Sequence, residues 1–352
     1  TQSPKERLTQ HLGKENITFA LEGLRAAIHK TDLPSPMEIV NLYIQNKYHP
    51  WWFAILAGIT ESYNTQADLK IYSEQLLKTS IALNLIYPSF YSHEKNITSE
   101  ISPTWQQDLF QYKPQLVQAV YLEIIEVLIQ TKRNHIQGIR IICENPHLKN
   151  NREEIVLTIL KNHPNTTPQE LKTLLLTAVT FPGIRAELIS LVKSTLKPRT
   201  RVRLNRRELW LSIGFLIAVD EFKDMIVICF SKHESIVWEL IDIIGRASIG
   251  HNETQPTELS TTQLTFIIYL IGACYPDVEH PSGTSSGSHN PWDVSEFVKR
   301  QITKLSALCT QEAIKALTQL INEPRLESYH DYLKHSSVNQ AILHRKDLFY
   351  QP

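Results

Sequence analysis

Prolines set the period of this chain. Pro146, Pro164, Pro182 and Pro198 fall 18, 18 and 16 residues apart, each closing an apolar stretch. Proline has no N–H to donate and its ring collides with the preceding turn, so each marks the end of a helix. Between the prolines the apolar residues step by three and four, the spacing of one helix face. Leu171, Leu174, Leu175, Ala178 and Val179 do so, as do Ile184, Leu188, Leu191 and Val192. The same stepping runs through Val117, Val120, Tyr121, Ile124, Val127 and Leu128. No run alternates with period two between Asn-Gly or Asp-Gly turns, so β-hairpins have no support.

One helix and one turn per ~18 residues gives helix pairs of ~36, near the period of tetratricopeptide and HEAT-like repeats. The Ala/Gly positions of the first and the Thr-Pro-Leu-His of ankyrins are missing. The expected fold is therefore all-α, an α-solenoid of irregular HEAT-like helix pairs. Start signals agree. Ser35-Pro36-Met37-Glu38 and Thr167-Pro168-Gln169-Glu170 both read as capping boxes, with proline in the first helical position. Polar residues at 88–103 suggest a boundary, giving an N-terminal helical subdomain at 1–92 and a helical array at 103–352. Asp277–Pro291 is rich in Gly, Ser and Pro and reads as a mobile loop.

Composition narrows the function. Gly is scarce at 11 of 352 residues, which counts against the glycine-rich phosphate loops of parallel α/β enzymes. Lys and Arg balance Asp and Glu at 36 each, so attraction to nucleic acid or membrane has to come from a local patch. Cys143, Cys229, Cys274 and Cys309 are far apart and read as buried free thiols of a reducing, cytoplasmic compartment. The apolar stretches Trp210–Val219 and Leu264–Tyr275 are too short to span a bilayer and read as core helices. The chain opens at Thr1 without a Met and stops just after Leu348-Phe349-Tyr350, which suggests a piece of something longer.

Local catalytic patterns are missing. Gly13-Lys14 lacks the upstream glycine and following hydroxyl of an ATP-binding loop, and neither HExxH nor GxSxG occurs. Glu221-Phe222-Lys223 and Glu170-Leu171-Lys172 match a nuclease fragment, with Pro276-Asp277 as an imaginable partner, but they read better as solvated helix faces. The closest histidine pairs, His330 with His335 and His280 with His289, lack zinc-site spacing. Cys143 near His147 is the only local hint of a thiol nucleophile. No catalytic residue, metal ligand or cofactor is therefore expected. Trp51, Trp52 and Trp292 are expected to pack between repeats, with a binding platform as the alternative.

One stretch stands out. Lys193, Lys197, Arg199, Arg201, Arg203, Arg206 and Arg207 follow one another without a single acid. Guanidinium groups suit bidentate contact with phosphate or carboxylate, which makes this the candidate surface for a polyanion or an acidic partner, with a solvated inter-helix loop as the alternative.

Three landmarks carry a family resemblance: Thr31-Asp32-Leu33-Pro34-Ser35-Pro36 followed by Trp51-Trp52-Phe53-Ala54-Ile55-Leu56-Ala57-Gly58; Asn290-Pro291-Trp292-Asp293 ahead of Phe297 and Arg300; and Glu312-Ala313, Ala316-Leu317 and Leu320 ahead of Leu326 and Phe349. In their order they resemble the helical-repeat region of large bacterial NACHT-like, STAND-type NTPases linked to anti-phage defence. The resemblance implies an NTPase module before the array and an effector after it, with no catalytic residue in the array itself. It also implies a sensor or scaffold whose partners are proteins or other modules of the same polypeptide. A nucleic-acid-binding array is the second expectation, and an enzyme with a non-local active site the third.

Overall fold

The computed structural model describes residues 3–87, 103–131, 136, 138–145, 148–197, 202–249, 258–279 and 290–337. Among the described residues the chain is helical and contains no strand. Two units form, Thr1–Ala178 and Val179–Pro352.

The first unit runs through α1 (Pro4–Leu12), α2 (Ile17–Ile28), α3 (Pro36–Ile44), α4 (Trp52–Gln66), α5 (Glu74–Ile86), α6 (Thr104–Tyr112), α7 (Pro114–Gln130), α8 (Ile139–Glu144), α9 (Lys149–Asn162) and α10 (Pro168–Val179). Helix α5 is its core: every residue from Thr79 to Ile86 is buried, because α3, α4 and α7 all pack on it. Burying Asn84 there requires a partner. Its amide donates to Gln106 Oε1 at 2.6 Å, and Gln106 in turn donates to the Tyr121 hydroxyl at 3.3 Å, tying α5 to α6 and α7. The boundary expected between residues 92 and 103 lies outside the described residues, and α5 and α7 on its two sides pack together. Helices α2 and α4 meet at Gly58, where a Cβ would lie 2.5 Å from the Leu24 carbonyl oxygen. Only hydrogen fits that contact.

The second unit comprises α11 (Arg185–Thr195), α12 (Leu204–Phe230), α13 (Ser235–Ile249), α14 (Thr261–Gly272), α15 (Pro291–Ala307), α16 (Gln311–Ile321), a 3₁₀ turn at Pro324–Tyr329 and a last helical stretch at 330–337. Its principal packing pairs join each helix to the next or the next but one: α11 with α12, α12 with α13 and α14, α14 with α15 and α16. The loop expected at 277–291 falls mostly on residues 280–289, outside the described residues.

Helix α12 is not straight. Ala218 leaves helical geometry (φ −159°, ψ 66°), and the two halves meet there at a kink. A break of this kind strips carbonyls of their partners four residues on. Side chains from neighbouring helices take over. Gln263 Nε2 donates to the Phe215 and Leu216 carbonyls at 2.8 and 2.9 Å, and Arg185 donates to the Ile217 carbonyl at 2.6 and 3.2 Å.

Caps correct the sequence expectation in part. Ser35 Oγ accepts from the Glu38 N–H at 3.2 Å, half of the expected box. At Thr167 the box does not form. Glu170 is buried and its Oε1 accepts from the Ile136 N–H at 2.9 Å, while Thr167 Oγ1 is buried without a partner among the described residues. Complete boxes occur instead at Ser3 with Glu6, Ser260 with Gln263, and Asn290 with Asp293.

Candidate polyanion-binding surface

The cations singled out by the sequence lie at the C-terminal end of α11 and the N-terminal end of α12. Arg199 and Arg201 fall outside the described residues. Lys193 is on the last turns of α11 with its side chain 51% exposed, and it forms an ion pair with Glu221, in the second half of α12. The acid that the local sequence lacks is thus supplied from across the kink. Lys197 is exposed just beyond α11, and Arg203 is exposed in the N-cap position of α12 with extended backbone and no capping hydrogen bond. Arg206 and Arg207 are half-buried in the first turns.

This arrangement runs against the helix dipole. The open N–H groups at a helix start carry partial positive charge, so an acid there stabilises and a cation costs about 0.3–1 kcal/mol. The first turn of α12 contains no acid. Burial and the like charge of Arg203 both lower the pKa of Arg206. Arg203 and Arg207 make no ion pair with a carboxylate among the described residues. The guanidinium groups of Arg203 and Arg207 at an uncapped helix start leave a positive potential suited to a phosphate or carboxylate ligand.

Other sequence candidates are spread over both units. Glu221 is engaged by Lys193 and Glu170 by the Ile136 N–H, so the Glu-x-Lys fragments serve packing and pairing. Cys143 is buried, and burial pushes its thiol up to about 12, which removes the thiolate a nucleophile needs; His147 lies outside the described residues. The expectation of buried thiols holds for Cys143 and Cys229 but not for Cys274, which is exposed, nor for Cys309, which is half-buried. No group of three His, Cys, Asp or Glu residues could hold a metal among the described residues. Trp52 is 1% exposed in the core, whereas Trp51 carries the Lys30 ammonium over its ring at 4.5 Å. Trp292 is half-buried in the first turn of α15. No single helix is long and apolar enough to cross a membrane among the described residues.

Sequence reasoning missed one polar cluster. Asp277, just beyond α14, accepts from Ser295 Oγ at 2.6 Å and pairs with Lys299 at 2.7 Å, while its backbone N–H donates to Ser328 Oγ at 3.0 Å. Lys299 also reaches Glu296 at 3.4 Å. Burial lowers the Lys299 pKa, but Asp277 and Glu296 outweigh it and leave it raised. The lysine is held as a cation, which suits a clamp and disqualifies it as a general base. The i,i+4 pair Ser295 and Lys299 was visible on one helix face; Asp277, arriving from before a long loop, was not.

No family model, no curated protein and no solved structure matches this chain.

Proposed function

We propose that this chain is a non-catalytic interaction scaffold, the sensor or spacer region of a larger bacterial defence ATPase working in the cytoplasm. One observation carries the reading furthest. In Val179–Pro352 the principal packing pairs join helices one or two places apart in the chain. Packing confined to neighbours is the logic of repeat stacks, whose extended faces suit large partners. On this reading the helices of the second unit are irregular HEAT-like pairs of an α-solenoid, and the partners are proteins or other modules of the same polypeptide. The landmarks of the resemblance support it by their positions. They fall at the N-cap of α3, the first turns of α4, the N-cap of α15 and the buried face of α16, where they shape helices. Assays of the purified chain for ATP hydrolysis and metal-dependent DNA cleavage should both be negative. Cleavage that persists through purification and disappears in Glu221→Ala would overturn the non-catalytic reading.

A second reading, a nucleic-acid-binding helical array, is favoured by the uncapped, acid-free start of α12 beside Arg203, Arg206 and Arg207. Fluorescence anisotropy with a labelled oligonucleotide tests it. Affinity should fall with salt by about 0.7–0.9 log units per log unit for each phosphate engaged. Changing Arg199, Arg201 and Arg203 together to Glu should abolish binding without loss of helical signal. Equal binding by variant and parent, or a flat salt dependence, removes this reading.

A further inference from the structure

No proline causes the kink in α12. Residues 214–221 read Gly-Phe-Leu-Ile-Ala-Val-Asp-Glu; Gly214 leaves room for the bend, but the residue at the break itself is alanine, the best helix former of all. Nothing at the break itself disfavours a continuous helix. Contacts from elsewhere in the second unit hold it bent. Gln263 and Arg185 occupy the carbonyls of residues 215–217, and Lys193 on α11 pairs with Glu221 just past the break. The bend is sharp. A Cβ on Gly214 would lie 2.8 Å from the Phe222 ring, although residues eight apart in a straight helix are separated by ~12 Å along the axis.

Gln263 is aimed at the break by its other end. Its Oε1 closes the capping box of α14 by accepting from the Ser260 N–H at 2.9 Å, which leaves Nε2 free to donate to α12. Straightening α12 would return the three carbonyls to the backbone N–H donors of residues 219–221, so no carbonyl is left without a donor, while the Gln263 amide and the Arg185 guanidinium give up their acceptors. A bend held by tertiary contacts at a residue with full helix preference, whose carbonyls stay bonded in either form, meets the condition for two discrete packings of one sequence.

We propose that α12 is a two-position element, kinked while Gln263 and Arg185 hold the carbonyls of residues 215–217 and straight when they release them. Straightening swings the cationic first turn of α12 away from the half that carries Glu221. The device therefore controls how the cations of α11 and α12 are presented together.

Pulsed electron–electron resonance on the whole chain tests this. Nitroxides at Asn205→Cys and Ile228→Cys, in a Cys274→Ser, Cys309→Ser background, report the span of α12, which is about 35 Å for 23 residues of straight helix. The parent should show one distance well short of that value. A Gln263→Leu, Arg185→Met variant removes the side-chain donors, and should add a population near 35 Å. Gly214→Ala, with the donors intact, puts a methyl against the Phe222 ring only in the kinked form and should shift the population the same way. If both variants keep the parent distance alone, the proposal fails. It fails equally if both lose their helical signal without a long distance ever being populated, since the kink is then an obligatory part of the fold.

Discussion

Two glycines on the α2–α4 pair should respond to the same substitution with opposite sign. Gly23 on α2 faces open space, with nothing within 4 Å of an added Cβ. Gly23→Ala then only reduces the freedom of the unfolded chain and should stabilise by about 0.5–1 kcal/mol. Gly58→Ala gains the same helix preference but places its methyl 2.5 Å from the Leu24 carbonyl oxygen and 2.8 Å from Ile28 Cγ2. Ordinary contact begins near 3.4 Å, so α2 and α4 have to part by most of an ångström at that point. Overpacking of this kind costs about 1–3 kcal/mol, and the offending atom belongs to backbone that cannot rotate away. The expected net effect is a loss of about 1–2 kcal/mol, which lies about 1.5–3 kcal/mol below Gly23→Ala. For a unit of this size that separates the two melting temperatures by roughly 3–12 °C. Thermal melts followed by circular dichroism at 222 nm, on both variants and the parent, provide the reading. If both variants melt above the parent, the two helices have slack at Gly58 and the close-approach argument is wrong.

Asp277→Ala leaves the fully buried Ser295 hydroxyl without its acceptor and Lys299 with Glu296 alone, and should cost about 1–3 kcal/mol in urea titration; a loss below about 0.5 kcal/mol would mark the cluster as incidental. The hydrogen bond to Asp108, followed by burial and the charge of that carboxylate, pushes Tyr63 up to about 12, so its stabilisation is whole below pH ~10 and drains away as pH rises through the folded value. Asp108→Asn should accordingly bring forward the rise in phenolate absorbance at 295 nm and the onset of alkaline unfolding, and an unchanged titration would refute this. Cys274 should react first with a disulfide reagent, whereas Cys143 should stay silent until the first unit unfolds; prompt modification of Cys143, read by mass spectrometry, contradicts its burial.

Most helices were legible because their signals are local. Ser35 caps α3 as its position suggested, and the apolar steps of 117–128 are the buried face of α7. Features set by partners far along the chain were not. Thr167 to Glu170 has the letters of a capping box, but a buried N–H at Ile136 competes for the same carboxylate and wins. The cationic stretch looked free of acids because Glu221 comes to Lys193 from across a bend that nothing in Leu216–Asp220 announces. The Ser260–Gln263 box could have been read from its spacing, but not the second use of Gln263 on the carbonyls of α12.

The polar chain around Asp277 has a further consequence. Apolar side chains settle how near two helices lie, yet they permit sliding along the axes at small cost, whereas hydrogen bonds do not. Tyr275 bonds to Glu234 at the start of α13 and, through its carbonyl, to the Tyr329 hydroxyl, while Asp277 holds Ser295 and Lys299 on α15 and Ser328 in the 3₁₀ turn. These ties gather at the end of α14 and reach α13, α15 and the 3₁₀ turn. They act as an index mark, holding the axial register of helices whose greasy faces would otherwise let them drift.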